Sequence, residues 1–109
     1  MLDKCVSQTI QLTIKTIYTT DVFDAWFESL RDKQAARRIQ ARIDRAEDGN
    51  FGDHKSVGDG VSEMRIHHGS GFRVYFTLRD LEVVILLAGG DKSSQVKDIQ
   101  TAQALARQL

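Results

Sequence analysis

Apolar and polar side chains alternate along residues 61–79, on both sides of the tripeptide Gly69-Ser70-Gly71. Because successive side chains of a strand point to opposite faces, this period of two predicts a pair of strands. One predicted face is apolar and carries Met64, Ile66, Phe72, Val74 and Phe76. The other face carries Arg65, His67, Arg73 and Tyr75. A solvated face needs polar side chains, but it does not need this concentration of cationic groups.

The tripeptide also predicts the register of the hairpin. A three-residue loop with glycine in the left-handed conformation is a common hairpin connection. It would place His67 opposite Arg73 and Arg65 opposite Tyr75, with Cβ atoms about 5 Å apart. Like charges at that separation are unfavourable unless an anion binds between them, and a phosphate is the obvious candidate.

The first half of the chain changes period. Residues 10–18 alternate and predict a first strand. Residues 19–32 and 33–49 instead space their apolar side chains at three and four residues, which predicts two helices. Thr20 is a candidate N-cap of the first helix, and Gly49 is a natural end of the second. Two helices in succession predict an antiparallel helical hairpin.

The second half predicts a loop, the strand pair, a buried strand and a terminal helix. Residues 50–60 are rich in turn-forming residues and predict the loop. Residues 82–90 contain an unbroken apolar run, typical of a strand that is covered on both faces. Residues 91–109 carry a modest helical stripe formed by Val96, Ile99, Ala102 and Ala106. The order β-α-α-β-β-β-α predicts an α+β fold, a small and mainly antiparallel sheet with the helical hairpin on its apolar face and a C-terminal helix.

Composition and charge add few restrictions. A length of 109 residues predicts one domain, residues 1–109, whose first nine residues lack a clear period and suggest a frayed extension. Fifteen basic residues balance fifteen acidic ones, which argues against a general polyelectrolyte binder but not against a local basic site. A single cysteine excludes an intramolecular disulfide and is compatible with the cytoplasm. The sequence shows neither a membrane-spanning run nor a signal peptide.

Two segments, VGDGVSEMRIHHGSGFRVYF and LLAGGDKSSQVKDIQTAQALARQL, resemble the RelE/ParE superfamily of toxins from type II toxin–antitoxin modules. Within it, they resemble the HigB-like group of addiction-module killer proteins. The resemblance extends from about Ile14 to Leu109 and implies a small mixed sheet with packed helices. It also implies a cytoplasmic toxin that an antitoxin encoded beside it holds inactive.

The resemblance implies an activity and a site. Most RelE-like members are ribosome-dependent endoribonucleases that cleave mRNA, whereas the ParE branch poisons DNA gyrase. The cleavage residues of RelE-like members are basic groups on the central strands and after the last strand. Arg73 matches the strand arginine, Arg65 lies near a strand lysine, and Lys92 lies where an arginine follows the last strand. Some members carry a tyrosine or histidine near the C-terminus, where this chain has Asp98. The resemblance therefore does not assign the general acid and the general base.

The chemistry of RNA cleavage suits such a patch. The 2′-hydroxyl attacks the adjacent phosphate when a base takes its proton, cations stabilise the developing charge and an acid protonates the leaving oxygen. Arginine binds two phosphate oxygens at once, histidine titrates near neutral pH, and tyrosine can stack on a base or donate a proton. The predicted catalytic residues are Arg73, Arg65, Lys92, His67 and Tyr75, and the predicted substrate-binding residues are Lys55 and Arg79.

The predicted function is therefore a ribosome-associated endoribonuclease toxin. Its expected partners are the ribosome, mRNA and an antitoxin, expected to be a small helix-turn-helix protein; homodimerisation stays open. Two alternatives also stay open, a gyrase inhibitor of the ParE branch and a non-enzymatic partner-binding domain.

Several residues also have an ordinary structural explanation. A salt bridge to Glu63 or to an acid on one of the helices is the alternative to phosphate binding for Arg73, and Thr77 and Arg79 fit solvated strand positions. No cofactor and no metal is predicted, because the spacing of ligands is missing around the three histidines, His54, His67 and His68.

Overall fold

The structure of the protein, a computed structural model, describes residues 14–109. In chain order its elements are strand β1 (Thr16–Thr19), helix α1 (Asp21–Glu28), helix α2 (Lys33–Glu47), strands β2 (His54–Gly58), β3 (Val61–Ile66), β4 (Phe72–Arg79) and β5 (Val83–Asp91), a 3-10 turn (Lys92–Ser94) and helix α3 (Gln95–Arg107). The strands form one sheet in the order β1-β5-β4-β3-β2. Strand β1 runs parallel to β5, and all other neighbours are antiparallel. The predicted α+β class is confirmed.

The helical hairpin covers the apolar face of the sheet, as the alternation predicts. Both helices begin at capped ends: the Thr20 hydroxyl accepts a hydrogen bond from the Phe23 amide at 3.0 Å, and Asp32 accepts from the amides of Gln34 and Ala35. Such caps satisfy amides that have no partner within the helix. The buried core on this face consists of Phe23, Ile39, Ile43, Ala46, Met64, Ile66, Val74, Phe76, Val84 and Leu86.

Helix α3 covers the opposite face and creates a second, smaller core. Its buried members are Val61, Tyr75, Leu87, Ala88 and Ala102. The polar face predicted for strands β3 and β4 is therefore only partly open to solvent. Two expectations fail here: Val96 is 73% exposed rather than part of the helical stripe, and Thr77 is buried rather than solvated. Among residues 14–109, no helix is both long and apolar enough to cross a membrane.

The two edge strands differ from the prediction. Strand β2 lies within residues 50–60, which were expected to form a loop; most of its side chains are exposed, so it has no apolar alternation to reveal it. Strand β1 begins only at Thr16, and Ile17 rather than Ile14 packs against the core. Residues 10–13 of the predicted strand, together with the predicted N-terminal extension, lie outside the described residues.

The hairpin register is also different from the prediction. Arg65 pairs with Arg73 and Glu63 pairs with Tyr75, so five residues, 67–71, connect β3 to β4. The register has shifted by two residues, which leaves each side chain on its predicted face but changes its partner. The physical reason lies in the connection itself: the His68 amide donates to the Ile66 carbonyl at 3.0 Å and the Gly71 amide donates to the His68 carbonyl at 2.9 Å, so these groups close turns instead of continuing the ladder. The His68 Nε2 lies 3.1 Å from the Asp32 carboxylate just before α2.

Candidate active site

An open depression of about 460 Å³ lies beside the connection between β3 and β4. Its walls are formed by Arg65, His67, His68, Gly69, Ser70, Gly71, Arg73 and Lys92. None of these described lining residues is acidic. The structure thus brings together four of the five predicted catalytic residues, and leaves out Tyr75.

The two arginines of the depression share one buried carboxylate. Glu63 is fully buried, and its Oε2 accepts a hydrogen bond from Arg65 Nε at 3.0 Å. Its Oε1 accepts from Gln95 Nε2 at 2.9 Å and lies 3.5 Å from Arg73 Nε. The salt bridge considered as the alternative for Arg73 is therefore present. The close approach of the two guanidinium groups is already compensated inside the protein and does not by itself require a phosphate.

Tyr75 lies beneath helix α3 instead of facing the depression. Its hydroxyl is buried and has no hydrogen-bond partner among the described residues. Burial raises the pKa of Tyr75, and the negative charges of Glu63 and Asp98 raise this pKa further. A phenol in this position stays protonated and has no contact with solvent.

His67 is at the rim of the depression and pairs with an acid that sequence reasoning missed. Its Nε2 lies 2.6 Å from Asp53 Oδ2, and its side chain is 75% exposed. The hydrogen bond from His67 lowers the pKa of Asp53, and the charges of Arg65, His67 and Arg42 add to this effect. Asp53 precedes β2, and only the pairing of β2 with β3 brings it to His67, so the sequence alone offers no signal for this contact.

Lys92 reaches the depression from the 3-10 turn after β5. The Asp91 carboxylate accepts hydrogen bonds from the Ser93 amide at 2.9 Å and from the Ser93 hydroxyl at 2.6 Å. The Ser93 side chain and amide lower the pKa of Asp91. This capped turn sets the direction in which the chain leaves β5 and so places Lys92 next to Arg73.

The glycine pair that ends β5 makes room on both faces of the sheet. A Cβ at Gly89 would collide with the Trp26 ring on the hairpin side. A Cβ at Gly90 would overlap the Asp98 carboxylate, which accepts a hydrogen bond from the Ser94 hydroxyl at 2.5 Å on the other side. Asp98 thus packs onto the backbone next to Arg73, but it does not line the depression.

The two predicted substrate-binding residues lie outside the depression. Lys55 is exposed on β2, opposite Glu63, one strand from Arg65 and two strands from Arg73. Arg79 is exposed at the far end of β4, six residues and therefore about 20 Å from Arg73. Their predicted roles stay predictions. Among residues 14–109, no group of three or more His, Cys, Asp or Glu side chains is placed to hold a metal ion.

A second basic depression adjoins the first. It measures about 200 Å³ and is lined by Arg38, Ala41, Arg42, Arg45, Ile66 and His67. Arg42 is fixed by backbone carbonyls, with Nη1 2.5 Å from the Arg65 oxygen and Nη2 2.8 Å from the Phe51 oxygen. His67 lines both depressions, so the arginines of β3 and β4 and those of helix α2 lie on either side of it.

Comparisons with known proteins identify the family. A protein from Haemophilus influenzae, described only as uncharacterized, is 52% identical over 93 residues, which cover 85% of this chain and 94% of that protein. The structure of free Escherichia coli toxin RelE, with two arginines replaced by alanine, matches with a TM-score of 0.67 at 11% identity. That match covers 84% of this chain and 95% of RelE, and it shows that the fold is the same.

The family match extends from within helix α1 through helix α3 and includes strands β2 to β5, but not β1. Residues 25–108 match the family described as phage derived protein Gp49-like (DUF891). This range includes all the residues that line both depressions. The chain therefore belongs to the Gp49-like family, a family of RelE/ParE-like toxins.

Proposed function

We propose that this protein is a HigB-like toxin that cleaves mRNA on the ribosome. The observation that carries the proposal is the depression in which Arg65, Arg73 and Lys92 converge from two strands and a turn without an acidic side chain on the described walls. Membership in a toxin family implies an antitoxin partner, and we propose a small helix-turn-helix protein for that role.

Arg73 is the principal phosphate ligand in this proposal. Its side chain is 14% exposed, and a Cβ at Gly71 would lie 4.0 Å from its Nη1 atom, so a terminal nitrogen reaches the wall of the depression. Arginine contacts two phosphate oxygens with its planar fork, and Lys92 adds a third positive charge at the edge. These charges stabilise the negative charge that develops on the phosphate oxygens as the 2′-oxygen attacks.

His67 is the proposed general base. The 2′-oxygen forms a bond to phosphorus while its proton passes to His67 Nδ1, which has no hydrogen-bond partner within residues 14–109; the bond from phosphorus to the 5′-oxygen breaks, and water protonates that oxygen. Asp53 contacts Nε2 at 2.6 Å and so orients the ring with Nδ1 available to the substrate. Tyr75 has no proton-transfer role in this scheme, because its hydroxyl is buried and its pKa is raised.

The second basic depression supports binding of a longer nucleic acid. Arg38 and Arg45 are exposed on the same side of α2 and adjoin the first depression through His67. Rows of this kind contact phosphates without reading the sequence. The ribosome would then supply the mRNA in the geometry that a small site with few catalytic groups needs.

Single-turnover cleavage of mRNA on programmed ribosomes tests the proposal. Arg73→Ala should abolish cleavage, and Arg73→Lys should not restore it fully, because an ammonium group cannot make the two-oxygen contact. His67→Ala should lower the rate by about 10²-fold or more if it is the base. Arg107→Ala is the matched control, since Arg107 is at the other end of α3, about 18 Å from Gln95, in an exposed pair with Asp59.

Thermal melting on the same preparations shows that each variant is folded. A folded Arg73→Ala protein that cleaves at the wild-type rate would remove phosphate binding at this site. Loss of DNA supercoiling in cells without mRNA cuts would instead identify a gyrase inhibitor. Unimpaired growth after induction would favour the non-enzymatic partner-binding domain.

A further inference from the structure

Glu63 is a buried carboxylate that the proposed chemistry does not use directly. It is fully buried and does not line the depression, so a substrate cannot reach it. Its two oxygens are occupied by Arg65 and Gln95, with Arg73 at ion-pair distance. A general base needs a free oxygen within reach of the substrate, and Glu63 has none.

The contacts of Glu63 determine which arginine nitrogens face inward. Both arginines approach it with Nε, at 3.0 Å for Arg65 and 3.5 Å for Arg73. A guanidinium group can bind a phosphate either with Nε and one terminal nitrogen or with both terminal nitrogens. With Nε directed at Glu63, only the second mode is open.

The solvent exposure of the two arginine side chains agrees with an inward Nε and outward terminal nitrogens. Arg73 Nε is buried and has no hydrogen-bond partner in the described part of the chain, whereas the side chain as a whole keeps 14% exposure. Arg65 keeps 32% exposure although its Nε is bonded to Glu63. Both side chains line the depression, and the Nη1 atom of Arg73 lies 4.0 Å from the position of a Cβ at Gly71 in the same wall.

We infer that Glu63 is a positioning residue: its buried carboxylate draws the Nε atoms of Arg65 and Arg73 inward and presents their terminal nitrogens to a phosphodiester. Gln95, the first residue of α3, holds the other side of the carboxylate, so the docking of α3 is part of the same arrangement. This inference rests on the proposed function for the identity of the ligand but not for the geometry.

Two substitutions separate geometry from charge. Glu63→Gln keeps the size and removes the charge, whereas Glu63→Asp keeps the charge and withdraws it by one methylene group. If Glu63 only balanced charge, Glu63→Asp would cleave mRNA like the wild type. Because a displacement of 1 Å in a positioning group can cost about 10²-fold in rate, we expect both variants to lose about that factor at saturating toxin concentration. The half-saturating concentration should change by less than about threefold, since the outer charges that bind RNA are kept.

Nuclear magnetic resonance of the arginine side chains gives a readout that does not depend on activity. The Nε protons of Arg65 and Arg73 should exchange slowly with water in the wild type, and Arg107 provides the exposed comparison. Glu63→Asp and Gln95→Ala should accelerate the exchange of the Nε protons at Arg65 and Arg73 only. If Glu63→Gln does not fold, these two variants still test the inference.

Measurements of mRNA cleavage and of Nε proton exchange distinguish failure of this inference from failure of the proposed function. Wild-type Nε protons that exchange as rapidly as those of Arg107 would overturn the inference, and so would a wild-type cleavage rate in folded Glu63→Asp. A wild type that cleaves no mRNA but shows protected Nε protons would overturn the proposed function and leave the positioning role of Glu63 intact.

Discussion

Gly89→Ala should destabilise the protein, although alanine is normally preferred to glycine inside a strand. Gly89 lies in β5, between β1 and β4, and faces the helical hairpin. An added Cβ would collide with Cε3 and Cζ3 of Trp26 and lie 2.7 Å from Cδ2. The ring has little freedom to retreat, because Trp26 also packs against Phe23, with ring centroids 5.7 Å apart.

Two opposing effects determine how much Gly89→Ala changes the free energy of unfolding. Overpacking by one methyl group costs about 1–3 kcal/mol. Replacing glycine by alanine in a strand returns about 0.5–1 kcal/mol through the lower entropy of the unfolded chain. The difference between the two effects is about 0–2.5 kcal/mol. Because the added Cβ would lie only 2.3 Å from two carbons of the Trp26 ring, we expect the free energy of unfolding to fall by about 1–2 kcal/mol, which corresponds to a fall in Tm of roughly 4–16 °C.

Urea denaturation of four proteins measures this effect: the wild type, Gly89→Ala, Trp26→Ala and the double variant. In the Trp26→Ala background the collision is absent, so Gly89→Ala should be neutral or stabilising by up to about 1 kcal/mol. The double-mutant cycle thus isolates the contact between the two residues. A Gly89→Ala protein that is more stable than the wild type would show that the Trp26 ring does not lie over Gly89.

Two further predictions concern single polar contacts. Thr77→Val should lower the free energy of unfolding by about 1 kcal/mol in urea denaturation, because the Thr77 hydroxyl donates to the Gly60 carbonyl at 2.7 Å; no change would support the solvated position expected from sequence. The hydrogen bond from the Ala35 amide, and to a lesser extent the contact with His68, lowers the pKa of Asp32 below its ordinary 3.8. The Asp32 carboxylate should therefore stabilise the fold above pH 3.8. This contribution should be lost as the pH falls through the lowered pKa. Asp32→Asn keeps a capping oxygen without the titration, so the difference in Tm between the two proteins should narrow on acidification, and a difference that is independent of pH would contradict this linkage.

The predictable part of the fold is the part in which hydrophobic burial dictates a period. The alternation correctly predicted that Val74 and Phe76 share the hairpin face of β4 and that Arg73 and Tyr75 share the other, although helix α3 also covers that second face at Tyr75. Strand β2 escaped prediction because it is an exposed edge, held by backbone pairing with β3 rather than by buried side chains. The predicted hairpin register was wrong because the His68 and Gly71 amides close turns within the connection, and the alternation of side chains does not distinguish registers that differ by two residues.

In the candidate site, too, some contacts were predictable from sequence and others depend on how distant elements pack. The strand alternation placed Arg65 and Arg73 on one face, the family resemblance added Lys92, and all three line one depression. The burial of Tyr75 was not predictable from its own strand, because it is a consequence of where α3 docks. The Asp53 contact with His67 depends likewise on the pairing of β2, which the sequence does not reveal.

The position of Glu63 explains how two arginines can be stable side by side and still bind an anion. A carboxylate at the surface between Arg65 and Arg73 would neutralise them equally well, but it would occupy the terminal nitrogens and repel a phosphate. A carboxylate beneath them instead accepts a hydrogen bond from Arg65 Nε and lies at ion-pair distance from Arg73 Nε, so its charge is shielded from the depression by the guanidinium groups themselves. The cost of burying that charge is offset only because Arg65, Arg73 and Gln95 surround it. Replacing Glu63 should therefore have a larger effect in a protein that still cleaves RNA than in one that has lost its anionic ligand.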